Sequence, residues 1–342
     1  MAMSGGVDSS VAAAMLVERG YGVTGLTLRL FDCPVRGGCD YRDAKSAARK
    51  LSIPHRLIDA RAEFKRRVIT PFLKMYAAGR TPNPCVMCNE HVKFGILLRK
   101  ARELGAEALA TGHYARAERR GGRSRLFEAK DRRRDQSYFL YRLTGRNLER
   151  VIFPLGAMSK EDVRRAAVRF GIRVAGKRAS REICFVPGGD LKNYLGRRIP
   201  SAAGRILDGA GRVVGGHRGI HNFTVGQRRG LGLSSARRLY VVALDARRKT
   251  VVVGPDESLW SAGCVVGSVS LVHGVWPKRP VKVRIRSQHP GVTARIIRTG
   301  PRRAVVRFAS PQRAVTPGQA AVFYLMGEVI GGGTIESGSP VA

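Results

Sequence analysis

Ser4-Gly5-Gly6-Val7-Asp8-Ser9-Ser10 stands almost at the start of the chain, and its reading decides the fold. Two glycines let the backbone approach an anion closely. The helix expected after them turns free N–H groups and its positive end toward that anion. Ser4, Ser9 and Ser10 can add hydroxyl donors. No Gly-Lys-Ser or Gly-Lys-Thr follows at the spacing of a Walker loop, so that motif is excluded. A plain Ser/Asp-capped helix after a glycine turn is the competing reading.

Outward from the loop, helices and buried strands alternate. The pattern predicts a helix over 11–19, a strand over 22–31 and an amphipathic helix over 43–51. A strand follows over 55–59, entered from Pro54, then a helix over 62–78 kinked at Pro71. A helix over 92–104 leads into a strand over 107–111. Strands separated by helices predict an α/β fold: a parallel sheet with helices on both faces. Residues 116–130 read as a basic hairpin turning at Gly121-Gly122, and residues 162–170 as one more helix. Beyond about residue 204 the helical period disappears. Short strands then alternate with turn signals such as Asp208-Gly209 and Gly215-Gly216. The expected division is a catalytic domain over 1–195, a small β-rich domain over 196–259 and a β-barrel over 260–342.

Composition narrows the function. Of 342 residues, 62 are Lys or Arg and 25 are Asp or Glu, a formal net charge of +37. A polyanionic partner is the direct reading, because cations that displace condensed counterions gain affinity for a phosphate backbone. An arginine-rich composition spread over a solvated surface is the other. No apolar run is long enough for a membrane span, and residues 1–6 lack the charged and apolar regions of a signal peptide. A cytoplasmic protein without membrane contact is therefore expected. The six cysteines are Cys33, Cys39, Cys85, Cys88, Cys184 and Cys264. Without an export signal they point to catalysis or metal binding rather than a disulfide framework.

Thr81-Pro82-Asn83-Pro84-Cys85-Val86-Met87-Cys88-Asn89 is the second signal. Two prolines stiffen the approach, and Cys88 lies just before an expected helix whose dipole would lower a thiol pKa. The Cys-x₂-Cys spacing also suits half of a zinc site. Cys33 and Cys39, separated by five residues, are the candidates for the other half. Cys184, between Ile183 and Phe185, suits core packing as well as chemistry. Cys264 in its apolar strand reads as core. His113 follows a strand end and reads equally as a ligand contact or a structural histidine. Asp8 can orient the loop or magnesium, or simply favour the first turn of its helix. The basic stretch Arg116 to Arg125 can grip RNA or form a solvated face. Gln227 to Gly230 reads as an ordered glycine-rich loop near RNA.

Taken together, these strings resemble a known family. Ser4 to Ser10 resembles the PP-loop of ATP pyrophosphatases, adenine nucleotide alpha hydrolase-like enzymes that cleave ATP between its α- and β-phosphates. The whole set is similar to the bacterial tRNA-specific 2-thiouridylases. It comprises Gly79 to Pro84, Met87-Cys88-Asn89, Val92-Lys93-Phe94, Ala110 to Tyr114, Asp135 to Leu140, Ile183-Cys184-Phe185 and Gly226 to Gly232. The match is dense to about residue 255 and thin afterwards. That family places a buried strand before its loop, where this chain has only Met1, Ala2 and Met3.

The resemblance implies ATP-dependent 2-thiolation of the wobble uridine of tRNA. The uridine 2-carbonyl would be adenylated, and sulfur would come from a cysteine persulfide. It implies ATP at Ser4 to Ser10, with Leu28 and Gly112 lining the nucleotide site, and Mg²⁺ on the departing pyrophosphate. Asn83, Pro84 and Cys85 would meet the target base. Arg134, Asp135, Gln136 and Arg286 would contact tRNA; the family more often has Lys where Arg134 stands. Cys88 matches the nucleophile and Cys184 the persulfide carrier, and the two would close a disulfide during turnover. The implied partners are tRNA and a persulfide-donating sulfur carrier or cysteine desulfurase. Many members carry Asp where Cys85 stands. With Cys85, Cys88 and Cys184, this chain also resembles sulfur transferases that bind an iron–sulfur cluster through three cysteines. Other readings are a different PP-loop amidating or adenylating enzyme and a non-catalytic RNA-binding protein.

Overall fold

The strand missing ahead of the glycine loop is present in miniature. Ala2 forms a parallel bridge with Leu26. The Leu26 N–H donates to the Met1 carbonyl (2.8 Å), the Met3 N–H donates to the Leu26 carbonyl (2.8 Å), and the Ala2 N–H donates to the Ala110 carbonyl (2.8 Å). Thr27 Oγ1 clamps the end of this stub by donating to the Met3 carbonyl at 2.8 Å. Both sides of the stub are paired, and Met1 and Met3 are buried.

The computed structural model describes residues 1–32, 41–172 and 183–340. Cys33, Cys39 and Ser180 to Glu182 lie outside the described residues. The chain forms two compact units. The first comprises Met1–Val68, Cys85–Arg181 and Leu325–Ile330; the second comprises Ile69–Pro84, Glu182–Tyr324 and Gly331–Ala342.

In the first unit the stub leads through the glycine loop into α1 (Val7–Glu18). Next come β1 (Gly25–Arg29), α2 (Tyr41–Lys50), β2 (His55–Asp59) and α3 (Arg61–Phe64). A π-helical turn, Lys65–Ile69, continues directly into α4 (Thr70–Ala77) of the second unit, with Pro71 in its first turn. Pro71 thus stands inside a continuous helical run, with the π turn directly before it, where the pattern of backbone hydrogen bonds already changes. The chain re-enters the first unit inside α5 (Pro84–Met87), continues as a π-helical segment, Cys88–Leu97, and ends that run as α6 (Leu98–Glu103). After it come β3 (Leu109–Ala110), the hairpin β4 (Ala115–Arg120) and β5 (Arg123–Glu128), α7 (Gly145–Leu148), β6 (Val151–Ile152) and α8 (Lys160–Arg169).

Parallel pairing of β1 with β2 and of β3 with β6, joined through the stub, gives the order β2-β1-stub-β3-β6. This is the parallel sheet expected from the alternation. Val11, Ala12, Ala13, Met15 and Leu16 of α1 are buried with Ala44 and Ala48 of α2 and Val163, Ala166 and Ala167 of α8. The alanines let helix backbones approach, and α1 shows no amphipathic stripe because it is covered nearly all round. Val329 and Glu328 pair antiparallel with Leu126 and Phe127 of β5, so a late stretch of chain completes an early sheet.

The second unit carries α9 (Leu191–Gly196) and two β structures. Strands β7 (Gly204–Leu207), β8 (Val213–His217), β9 (Tyr240–Asp245) and β10 (Thr250–Gly254) form a sheet in the order β8-β7-β10-β9. Its core contains Ile206, Phe223, Leu231, Val241, Val251 and Val253. The remaining strands are β11 (Trp260–Leu271), β12 (Val281–Arg284), β13 (Val292–Gly300), β14 (Arg303–Arg313), β15 (Ala320–Leu325) and β16 (Glu328–Pro340). They run in the order β11-β14-β13-β12-β15-β16, and pairing of β11 with β16 closes the barrel. Cys264 is fully buried there, and burial pushes its thiol up to about 12, which suits a core residue.

Candidate active site

The glycine loop sits at the carboxyl ends of the parallel strands, where open α/β sheets bind ligands. Gly5 has φ +75° and packs so closely on α2 that a Cβ would lie 2.8 Å from the Asp43 Cβ and 3.1 Å from the Ala44 nitrogen. Only glycine meets both demands. Gly6 is the N-cap of α1 and is extended, with no side-chain cap on the helix. The first-turn N–H groups of a twelve-residue helix therefore keep their capacity for an anion. Ser9 Oγ accepts from the Ser4 N–H (3.2 Å) and donates to the Gly6 carbonyl (3.0 Å), folding the loop on itself. Ser10 Oγ also donates to Gly6 (3.1 Å). These geometries fit a phosphate group better than the competing capped-helix reading, because the serines brace the loop and leave the helix end open.

Leu28 near the end of β1 and Gly112 just past β3 lie at the same sheet edge as the loop. Gly112 touches it directly, for a Cβ there would meet the Ser9 nitrogen at 3.0 Å and the Asp8 carbonyl carbon at 3.1 Å. The structure thus places Gly112 against the loop and Leu28 near the end of the strand beside the stub.

Asp8 is more committed than its position in the loop suggests. Its Oδ1 accepts from Lys160 Nζ at 2.5 Å and from the Tyr114 hydroxyl at 2.9 Å. Burial first, and the Asp8 carboxylate second, hold the Tyr114 phenol far above its usual range, so it remains a donor. Tyr114 is fixed by Gln136, whose Oε1 accepts from the Tyr114 N–H (2.9 Å) and whose own N–H donates to the Tyr114 carbonyl (2.8 Å). Gln136 is therefore tied through Tyr114 to Asp8 of the glycine loop. Asp135 is buried and accepts from the Ala129 N–H (3.0 Å), the Ser137 N–H (3.1 Å) and the Ser137 hydroxyl (2.9 Å). This carboxylate holds its own turn, which leaves half-buried Arg134 as the member of the triplet with a cationic side chain to offer. Tyr114 and Lys160 were not legible as site residues. Ser159 and Asp162 do form the reciprocal capping box that starts α8 and so places Lys160, and that signal is visible in Ser-Lys-Glu-Asp.

Cys85 and Cys88 share the first unit. Cys88 is 9% exposed, whereas Cys85 reaches solvent. The sequence led us to expect a thiol acidified by a helix end. The structure reverses this: Cys88 lies within a continuous helical run, after Met87 in helical geometry, so no free N-terminus faces it. Burial raises its pKa; Lys93 lowers it in part, and Cys85 adds a smaller raising effect. The Cys85 thiol is also raised by its surroundings and lowered by Lys93. Cys85 is nevertheless exposed at the surface, whereas Cys88 is buried. Asn89 donates to the Phe139 carbonyl at 3.1 Å, which fixes the helix beside Cys88. Among the described residues, no three His, Cys, Asp or Glu side chains gather as a metal-binding set.

Asn83, Pro84, Cys184, Arg286 and Gln227 fall in the second unit, and the basic hairpin in the first. Thr81 is locked by its N–H donating to the Pro317 carbonyl (2.9 Å) and its carbonyl accepting from Gln319 (3.0 Å). This anchors the Pro-Asn-Pro approach that presents half-buried Asn83 and buried Pro84. Cys184 is exposed, next to Phe185, whose ring packs on Phe72 (5.2 Å) and Tyr194 (5.7 Å). Arg286 is exposed on the barrel and donates to the Arg313 carbonyl at 3.4 Å. Gln227 orders its glycine-rich loop by accepting from the Thr224 N–H and donating to the Arg229 carbonyl, both at 3.0 Å. In the basic hairpin, Arg116 and Arg120 both pair with Glu118 and Arg125 with Glu328, as on a solvated face.

Comparison with known proteins agrees with this architecture. A family model described as a tRNA methyl transferase HUP domain matches residues 1–188. A tRNA methyl transferase PRC-barrel domain matches residues 192–255, and an aminomethyltransferase beta-barrel domain matches residues 262–335. The chain is 47% identical to the tRNA-specific 2-thiouridylase MnmA of Geobacter metallireducens, over 98% of this chain and 96% of that one. It is 47% identical to that of Syntrophotalea carbinolica, over 98% and 97%, and 43% identical to that of Geotalea uraniireducens, over 98% and 94%. No helix among the described residues is long and apolar enough to cross a membrane. The chain belongs to the tRNA-specific 2-thiouridylase family.

Proposed function

We propose that the chain is a tRNA-uridine 2-sulfurtransferase that converts the wobble uridine to 2-thiouridine at the expense of ATP. The observation that carries this reading is that one compact unit holds both the open anion loop and the Cys85–Cys88 pair. A uridine 2-oxygen is a poor leaving group. Attack of that oxygen on the α-phosphorus of ATP forms an O–P bond and expels pyrophosphate, leaving an adenylate that departs readily. Ser4 to Ser10, with Leu28 and Gly112, would hold the nucleotide; Asn83, Pro84 and Cys85 would receive the base, extruded from its stack. Mg²⁺ bound with ATP would neutralise pyrophosphate charge, and Asp8 is the carboxylate that the loop itself offers.

A persulfide on Cys184 would then attack C2 through its terminal sulfur and displace AMP. The Cys88 thiolate would attack the Cys184 sulfur, breaking the S–S bond, releasing 2-thiouridine and closing a Cys88–Cys184 disulfide. An external dithiol restores both cysteines. In a second form of this route, Cys88 releases hydrogen sulfide as the attacking species. The sulfur on Cys184 would come from a persulfide carrier. Nucleotide chemistry belongs to residues 1–195 in this reading, and the β domains over 196–259 and 260–342, with Arg286, engage tRNA together with Arg134.

The test is 2-thiouridine and AMP formation by iron-free protein on unmodified tRNA, with ATP, Mg²⁺ and a persulfide donor. Equal yields of both products are expected. Activity confined to iron-loaded protein using free sulfide would overturn the persulfide route, and AMP formation indifferent to tRNA would overturn the substrate. Two further outcomes follow. Affinity for tRNA should fall by about 10³-fold or more between about 50 and 200 mM salt if six or more phosphates are contacted, measured by filter binding. Lys160→Met should raise KM for ATP about tenfold, because it removes the cation that offsets the Asp8 charge beside the phosphates and leaves only the Tyr114 hydroxyl on it; an unchanged KM would show that Lys160 only braces α8.

A further inference from the structure

Lys93 has no role in the chemistry described above, yet three observations converge on it. The first is helix phase. At 3.6 residues per turn, positions five apart on an α-helix point about 140° away from each other. Cys88 and Lys93 lie instead on the π-helical segment Cys88–Leu97. There the N–H groups bond to the carbonyls five residues back, so residue 93 comes one turn on from residue 88 and round toward its face. The wider helix thus brings the lysine onto the cysteine's face.

The second is the anchor. Lys93 Nζ lies 3.4 Å from His113 Nε2, and His113 Nδ1 lies 2.8 Å from Thr111 Oγ1. The ring is buried against Phe94 and Phe153, with centroids at 5.9 and 6.1 Å. Burial first and Lys93 second hold His113 well below its usual pKa. The imidazole is therefore neutral, with Nε2 accepting from the ammonium and Nδ1–H donating to Thr111. A neutral anchor fixes the ammonium without cancelling its charge, as a carboxylate would.

The third is the surrounding charge. Lys93 is the cation that acts on both Cys85 and Cys88. Glu90, on the same segment, is paired with Arg142 (3.1 Å) and lies beside His91 (3.6 Å). On α3, which packs on this segment, Arg61 pairs with Asp59 and Asp32, and Glu63 with Arg66 and Arg67. The 3₁₀ turn Ser137–Leu140, which also packs here, contributes Tyr138 as its titratable group.

We infer that Lys93 is the positioning residue for Cys88: its ammonium, steered by His113 and the π-helical phase, supplies the counter-charge on which the thiolate forms. Burial keeps the resting cysteine a thiol, guarded against oxidation, while the fixed cation keeps the thiolate within reach. The inference rests on the reading of Cys88 as the attacking thiol. Its test uses neither ATP nor tRNA, so it can fail while that reading stands.

The experiment is the pH dependence of iodoacetamide alkylation at Cys88, resolved from Cys85 by fragment-ion mass spectrometry, in the full chain. In Lys93→Met the midpoint should rise by at least about one pH unit, a tenfold slower reaction at neutral pH. Lys93→Arg should restore most of it. Lys93→Gln provides the same reading should the methionine variant not fold. An unmoved midpoint without the cation would overturn the inference, and so would an equal rise in the arginine variant, which would mark a packing effect rather than charge.

Discussion

Cys88→Ser is expected to abolish 2-thiouridine formation, by at least about 10³-fold, while tRNA binding and protein stability stay near wild type. A serine hydroxyl is not ionised near neutrality and is a hard, poor nucleophile toward sulfur. It therefore fails in both forms of the proposed transfer, whether Cys88 attacks Cys184 or releases sulfide. The substitution nearly conserves volume, so the nine-tenths-buried site should tolerate it at a cost of about 1–2 kcal/mol for the added polar group. Single-turnover assays with persulfide-loaded protein separate the steps. Adenylation should still yield AMP when sulfur attacks C2, with tRNA then trapped on Cys184 through a mixed disulfide. Free 2-thiouridine at the wild-type rate would remove Cys88 from the chemistry and leave Cys85 as the candidate thiol.

Gly112→Ala should have the second largest effect, on ATP rather than on sulfur. The added methyl would press on backbone atoms: the Ser9 nitrogen at 3.0 Å, and the Asp8 carbonyl carbon and Ser9 Cα at 3.1 Å. Flexible side chains could yield to it, but the first turn of a buried helix cannot do so cheaply. Overpacking of this kind costs about 1–3 kcal/mol. The more telling loss is geometric, because moving the loop by about 1 Å is enough to cost about 10²-fold in rate. We expect KM for ATP to rise at least about tenfold, with a lower melting temperature, measured by AMP release and calorimetry. Wild-type ATP kinetics in this variant would mean that the strand end can retreat from the loop, and that Gly112 does not shape the nucleotide site.

Legibility in the sequence followed the range of the interactions involved. Strand β2 was readable to the residue because Pro54 marks its entry. Helix α1 was placed late, from residue 11 rather than Val7, because an extended Gly6 without a side-chain cap gives no local start signal. Where a kink at Pro71 is expected, the helix changes type: the π turn Lys65–Ile69 runs directly into α4, whose first turn holds the proline. The glycine loop stands out because its seven residues, Ser4 to Ser10, are consecutive. The Lys160–Asp8 pair does not, since its members are 152 positions apart. The pKa of Cys88 was misjudged for a similar reason. A helix-end effect is visible locally, but burial by distant side chains is not, and burial has the larger influence.

Completion of β5 by Glu328 and Val329 has a consequence for biosynthesis. The first unit includes residues 1–68, yet its pairing with β5 cannot form until Glu328 and Val329 have left the ribosome. At about 5–20 residues per second, the interval from Phe127 to Glu328 lasts roughly 10–40 s. Throughout it, β5 presents an open edge with Leu126 and Phe127 beside it, the kind of surface that recruits foreign strands. A chain released from a ribosome stalled before Glu328 would leave β5 without this partner.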